Sequence, residues 1–165
     1  MIRLSRDYFT KDRVARLCFI GAIALTLIFV FLQSLKGKDA STADSEAVAG
    51  FLARIFSEDN PIGAFVLGNV RKIAHFCEYG LLGAECTLYL LLFVKKRTVG
   101  IAHTAAFAFF SAFVDETLQI FSGRGPQISD VWLDVLGFTC LSLLTAGAFF
   151  GVKHLYAKFK ERKPE

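Results

Sequence analysis

The sequence predicts an all-α integral membrane protein of four transmembrane helices, with a short amphipathic helix in the first outer loop. Three observations carry that fold class. Apolar residues make up 54% of the 165-residue chain and Phe alone supplies 18 of them. Long apolar runs recur at 17–35, 69–94, 98–121 and 131–151, and each is close to the ~20 residues a helix needs to cross a bilayer. The basic residues alternate in position with those runs, as they do around membrane spans. The length suits one domain, 1–165. Its core is 17–151, and 1–16 and 152–165 read as basic tails.

The first span, 17–35, holds no charged side chain. It is longer than the apolar core of a cleaved signal peptide and lacks a small-x-small site close behind it, so it reads as an uncleaved anchor. Before it, Tyr8 and Phe9 lie in a basic arm suited to a lipid interface. After it, Val48, Phe51, Leu52, Ile55 and Phe56 follow helical spacing, with Glu46 and Arg54 on the other face. Such a helix either lies flat on the outer leaflet or packs back over the bundle as a lid. Asp59, Asn60 and Pro61 mark the turn after it.

The second span contains a contradiction. From Tyr79 to Val94 only sixteen residues are mostly apolar, so a full crossing must draw in His75 and Glu78. Each ionisable group inside a bilayer costs roughly 2.5–3.5 kcal/mol on insertion scales, which marks a functional site. Lys72, His75, Glu78, Leu82 and Glu85 form one stripe at helical spacing. The third span ends with Asp115, Glu116 and Gln119. Ser122-Gly123-Arg124-Gly125-Pro126 makes a tight turn. Ser129 and Asp130 read as caps of the fourth span, which also carries Asp134 and ends in Gly147-x-x-x-Gly151.

The net charge of +4 is not a nucleic-acid signature, because the basic residues are segregated. Of 19 Lys and Arg, five precede residue 17, three form Lys95-Lys96-Arg97 and five follow Gly151. The positive-inside rule puts both termini and the 95–97 turn in the cytoplasm, and 36–69 and 122–130 outside. Alternating helix direction then gathers Lys72, His75, Glu78, Asp115, Glu116, Gln119, Arg124, Asp130 and Asp134 at one leaflet. Cys18, Cys77, Cys86 and Cys140 show no Cys-x-x-Cys pair and no zinc spacing, and read as buried apolar side chains. His75-x-x-Glu78 comes with no second histidine nearby, so no metal and no cofactor are expected. His103 and His154 read as interfacial.

These motifs together resemble the VanZ-like family, small bacterial membrane proteins named for a teicoplanin-resistance factor. The family pattern of Lys-x-x-His-x-x-Glu-Tyr, Asp-Glu-x-x-Gln, an Arg-containing turn and Asp-x-x-x-Asn/Asp-x-x-Gly is met by Lys72, His75, Glu78, Tyr79, Asp115, Glu116, Gln119, Arg124, Asp130, Asp134 and Gly137. Position 134 is Asp where Asn is common, which adds a negative charge. The resemblance implies a multi-pass protein of the bacterial cytoplasmic (inner) membrane with a role at the cell envelope and in glycopeptide tolerance.

The expected function is recognition of a lipid headgroup or amphiphile in a polar pocket at the outer leaflet. Lys72 and Arg124 would hold an anionic group. Tyr79, Asp115, Glu116, Gln119, Asp130 and Asp134 would complete the binding set. The expected partner is membrane lipid, a lipid-linked cell-wall precursor or a lipoglycopeptide. An alternative is an enzyme acting on such a lipid, with His75 as general base oriented by Glu78. A small transporter using the deeper Glu85 is a further alternative; a pocket sealed below Glu78 argues against it.

Overall fold

The computed structural model describes residues 2–57 and 59–161, with side chains described for 12–57 and 59–160. Among the described residues there are six helices and no strand: α1 (Ile2–Ser34), α2 (Lys38–Leu52), α3 (Pro61–Gly68), α4 (Val70–Phe93), α5 (Arg97–Phe121) and α6 (Ile128–Glu161). Four stretches are long and apolar enough to cross a membrane: Asp12–Ser34, Val70–Phe93, Arg97–Phe121 and Ile128–Lys160. Their outward faces are studded with Leu17, Leu25, Phe110 and Leu143, all more than 65% exposed within the bundle. Only hydrocarbon makes such a surface stable.

The four long helices alternate in direction. Arg16 stacks on Phe93 and Arg97 on Phe150, which gathers the basic ends of α1, α4, α5 and α6. At the opposite, polar end lie Ser34, Val70, Phe121 and Ile128. α4 and α6 make the most extensive contact. Glycines permit it: a Cβ on Gly83 would sit 2.2 Å from the Phe138 carbonyl oxygen, and one on Gly137 would sit 2.3 Å from that of Phe76. Small residues let membrane helices pack backbone to backbone, where the gain is van der Waals contact and not expulsion of water. By contrast Gly147 and Gly151 face open space. Tyr79, Leu82, Cys86, Ala108, Ala112 and Phe138 form a narrow shared core with Val30 of α1.

Several boundaries differ from expectation. Residues 2–16 and 152–161 continue α1 and α6 as helix, since no Gly or Pro interrupts either stretch. The side chains of Tyr8 and Phe9 lie outside the described residues. The loop helix starts ten residues earlier than its apolar stripe and stops at Leu52, leaving Ile55 and Phe56 in a turn. α2 packs against α4 and extends no buried side chain of its own, which is the lid arrangement. α3 was not expected. Pro61 occupies its first turn and the Asn60 side chain accepts a 3.0 Å bond from the Ile62 N–H, the usual chemistry of a helix start. Cys18 and Cys77 are exposed on the bundle surface; of the four cysteines only Cys86 is buried.

α5 ends in a Schellman turn. The Gly123 N–H bonds to Ile120 O and the Arg124 N–H to Gln119 O, with Gly123 at φ 71°. Glycine is the residue that adopts this left-handed geometry without strain. Ser129 and Asp130 do not cap α6: helix begins at Ile128, and the preceding Gln127 N–H is taken by the Glu116 side chain at 2.8 Å.

Candidate polar site

His75 projects from the first turns of α4 toward α5 and α6. Its Nδ1 lies 3.6 Å from Asp115 Oδ2 and 3.6 Å from Asp134 Oδ1. Both aspartate side chains have 0% exposure and that of His75 has 13%. All four aspartate oxygens, His75 Nδ1 and the hydroxyls of Tyr79 and Ser34 are buried without a hydrogen-bond partner. Sequence spacing brings the three residues to one end of the bundle; the structure makes them immediate neighbours. Glu78, expected to orient His75, is half-buried and bonds nothing among the described residues. The histidine faces the two aspartates instead, because α5 and α6 pack on that side of α4.

A second polar group lies beside this one and is closed. Arg71 donates to Gln119 Oε1 at 2.8 Å, and the Gln119 amide donates to Glu116 Oε1. The other Glu116 oxygen accepts from the Gln127 N–H. Glu116 and Gln119 are therefore buried scaffold residues that fasten the end of α5 to the start of α6.

Arg124 is also a scaffold residue. Its Nε donates to Ser122 Oγ at 3.2 Å and its Nη1 to Ser41 Oγ at 2.9 Å. Its Nη2 donates to Gln33 O at 3.0 Å and Ser34 O at 2.6 Å. The last carbonyls of a helix lack intrahelical partners, and here one guanidinium satisfies two of them while tying α1, α2 and the 122–127 loop together. Burial and the neighbouring Arg71 lower its pKa, yet a guanidinium stays charged in any protein environment.

Two cavities meet at His75. One of about 300 Å³ lies under α2 and is lined by Lys36, Ser41, Val48, Arg71, His75, Glu78 and Arg124, among others. The other, of about 210 Å³, opens beside Asn69, Lys72, Gln127 and Asp130. Of the expected binding residues, Lys72, Arg124 and Asp130 thus border a cavity. Tyr79, Asp115, Glu116, Gln119 and Asp134 are packed behind His75 and line neither. Glu85 lines neither: it accepts a 3.0 Å bond from Thr26 of α1, below the sealed layer of Tyr79 and Leu82.

Sequence reasoning missed Arg71, Gln33, Ser34 and Ser41. Arg71 borders both cavities; its place one residue before the Lys72 stripe was the available signal. The α1 and α2 residues carried none, because uncharged side chains at a helix end look like ordinary linker.

Comparison with known proteins gives two findings. The family model described as VanZ/LLP1 matches residues 19–150. The "Uncharacterized membrane protein YwnJ" of Bacillus subtilis (strain 168) is 30% identical over 156 residues, spanning 91% of this chain and 95% of that protein. No solved structure matches the chain.

Proposed function

The chain belongs to the VanZ/LLP1 family, and from that premise we propose that it recognises an amphiphile, with a lipid headgroup as the chief candidate, in the polar pocket under α2. The observation that carries the reading is the mixed lining of the 300 Å³ cavity. Val48, Leu52 and Ile73 offer apolar surface, while Lys36, Arg71 and Glu78 offer charge. A molecule with a charged head and an apolar tail matches both. Arg71 is the better anion holder than Arg124, since Arg124 has every guanidinium nitrogen engaged. A guanidinium has five N–H donors, and Arg71 commits one to Gln119.

In this reading the membrane is the bacterial cytoplasmic membrane, both termini are cytoplasmic, and the pocket opens at the outer leaflet. The segregation of basic residues supports that orientation. A lipid-linked cell-wall precursor or a lipoglycopeptide such as teicoplanin fits the same chemistry, and gives the family's resistance phenotype a physical route. A second reading, an enzyme acting on such a lipid, is favoured by one observation: His75 lies at the meeting point of both cavities with two carboxylates behind it.

Mass spectrometry of lipid retained by purified protein tests the proposal. The native chain should carry anionic lipid, and Arg71→Ala should lose most of it. An identical lipid complement in both would overturn the reading. For orientation, Gly125→Cys in a cysteine-depleted variant should react with an impermeant thiol reagent on intact cells, and Lys96→Cys should not; the reverse pattern inverts the topology.

A further inference from the structure

We propose that His75, Asp115 and Asp134 form a binding site for a divalent transition cation, Zn²⁺ or Mn²⁺. One donor atom from each residue lies within 4.8 Å of the other two. A metal with ~2.1 Å bonds holds adjacent donors about 3.0–3.4 Å apart and opposed donors about 4.2 Å apart. The 3.6 Å separations from Nδ1 to each carboxylate close onto such an ion with small side-chain movements.

The second observation is independent of spacing. Two fully buried carboxylates carry four oxygens with no hydrogen-bond donor among the described residues, whereas the neighbouring Glu116 has both of its oxygens paired. Unpaired buried charge is among the costliest arrangements a fold can hold. Among the described residues no Lys or Arg bonds either carboxylate. Arg124 is held by α1 and α2, Arg71 by Gln119, and Lys36 by Asp44; Lys72 is exposed. Protonating His75 does not balance it either, since one charge and one Nδ1–H face two carboxylates and four oxygens. A divalent ion with a neutral imidazole balances the charge and gives each residue a bond.

The donor set favours zinc or manganese. Imidazole suits transition ions, whereas magnesium and calcium prefer all-oxygen shells. Three protein donors leave coordination positions open to water, behind the His75 ring that borders both cavities. With Nδ1 on the ion, that nitrogen is a ligand and no longer a general base. The sequence reading expected no metal because it sought a second histidine and paired His75 with Glu78. The third and second donors come instead from α6 and α5.

The test uses the full chain, purified without a polyhistidine tag, stripped with chelator and titrated with Zn²⁺ or Mn²⁺. Elemental analysis should find about one ion per chain, and thermal unfolding should shift upward with added ion. Asp115→Asn and Asp134→Asn should each weaken binding roughly tenfold or more, while Glu85→Gln keeps it. In stripped protein, Asp134→Asn should unfold no earlier than the native chain, because it removes one of two like charges; with ion present the order should reverse. Failure of the native chain to retain ion and to shift its unfolding would overturn the site. So would an Asp134→Asn loss of stability that is the same with and without ion, which would identify a plain ion pair with His75. The native chain's own titration decides the matter where a variant fails to fold. Lipid retention is read separately, so a failed headgroup reading leaves this result standing.

Discussion

Two buried polar groups sit at the same end of the bundle, built partly from adjacent residues of one helix. Glu116 and Gln119 belong to a closed network in which each oxygen has a donor. Asp115, one residue away on the facing side of α5, belongs with His75 and Asp134 to a group whose carboxylates have none. Burial does not distinguish them, since Asp115, Glu116, Gln119 and Asp134 are all 3% exposed or less. What separates them is satisfaction. A network with its hydrogen bonds made holds a fold together. A group with them unmade carries an uncompensated desolvation cost, and this one lies directly behind the His75 ring that borders both cavities.

The comparison breaks most easily at Arg124, where the largest effect is expected. Arg124→Ala strands two helix-terminal carbonyls and two hydroxyls, and should lower stability by about 3 kcal/mol, measured by thermal unfolding in detergent. Arg124→Lys should recover little, because an ammonium cannot span α1, Ser41 and Ser122 together. An unchanged unfolding midpoint in Arg124→Ala would remove it from the closed set.

Glu116→Gln is the subtler strike at the same network. The new amide meets either the Gln127 N–H or the Gln119 amide with a donor facing a donor. A loss of about 1–3 kcal/mol is expected. Tyr79→Phe probes the open group and should behave oppositely. Its hydroxyl has no partner, so its removal should change stability by less than about 1 kcal/mol. Comparable losses in both variants would erase the distinction between the two groups.

The sequence made the four spans legible, because apolar length and basic segregation are composition-level signals. It also made the membership of the polar end legible, because helical spacing fixes which residues share a face. It did not reveal which faces meet. His75 and Glu78 lie on one stripe, yet only rotation of α4 against α5 and α6 gives His75 the aspartates, and Gly83 and Gly137 set that rotation through contacts remote in sequence. Arg124 was legible as important, but its partners were not. Its Schellman turn aims it back at α1, some ninety positions earlier, and no local pattern encodes that target. α3 went unseen because eight residues from Pro61 to Gly68 are too few to show a period.

The smallest effect sharpens the comparison from outside. Lys36 and Asp44 pair at 2.6 Å, shorter than most contacts at the polar end, with side chains 41% and 58% exposed. By distance alone this would rank among the strong interactions. Water and mobile ions screen both charges, and holding the long lysine side chain in one geometry costs rotamer entropy. Such pairs contribute about 0–1 kcal/mol. Asp44→Asn should therefore shift the unfolding midpoint far less than Glu116→Gln, and added salt should shrink even that difference. The pair joins the middle of α2 to the connection that follows α1, and both residues line the larger cavity. A large, salt-insensitive loss in Asp44→Asn would mean that α2 seats more tightly than its exposed side chains imply, and that the lid, not the buried network, governs the stability of this end.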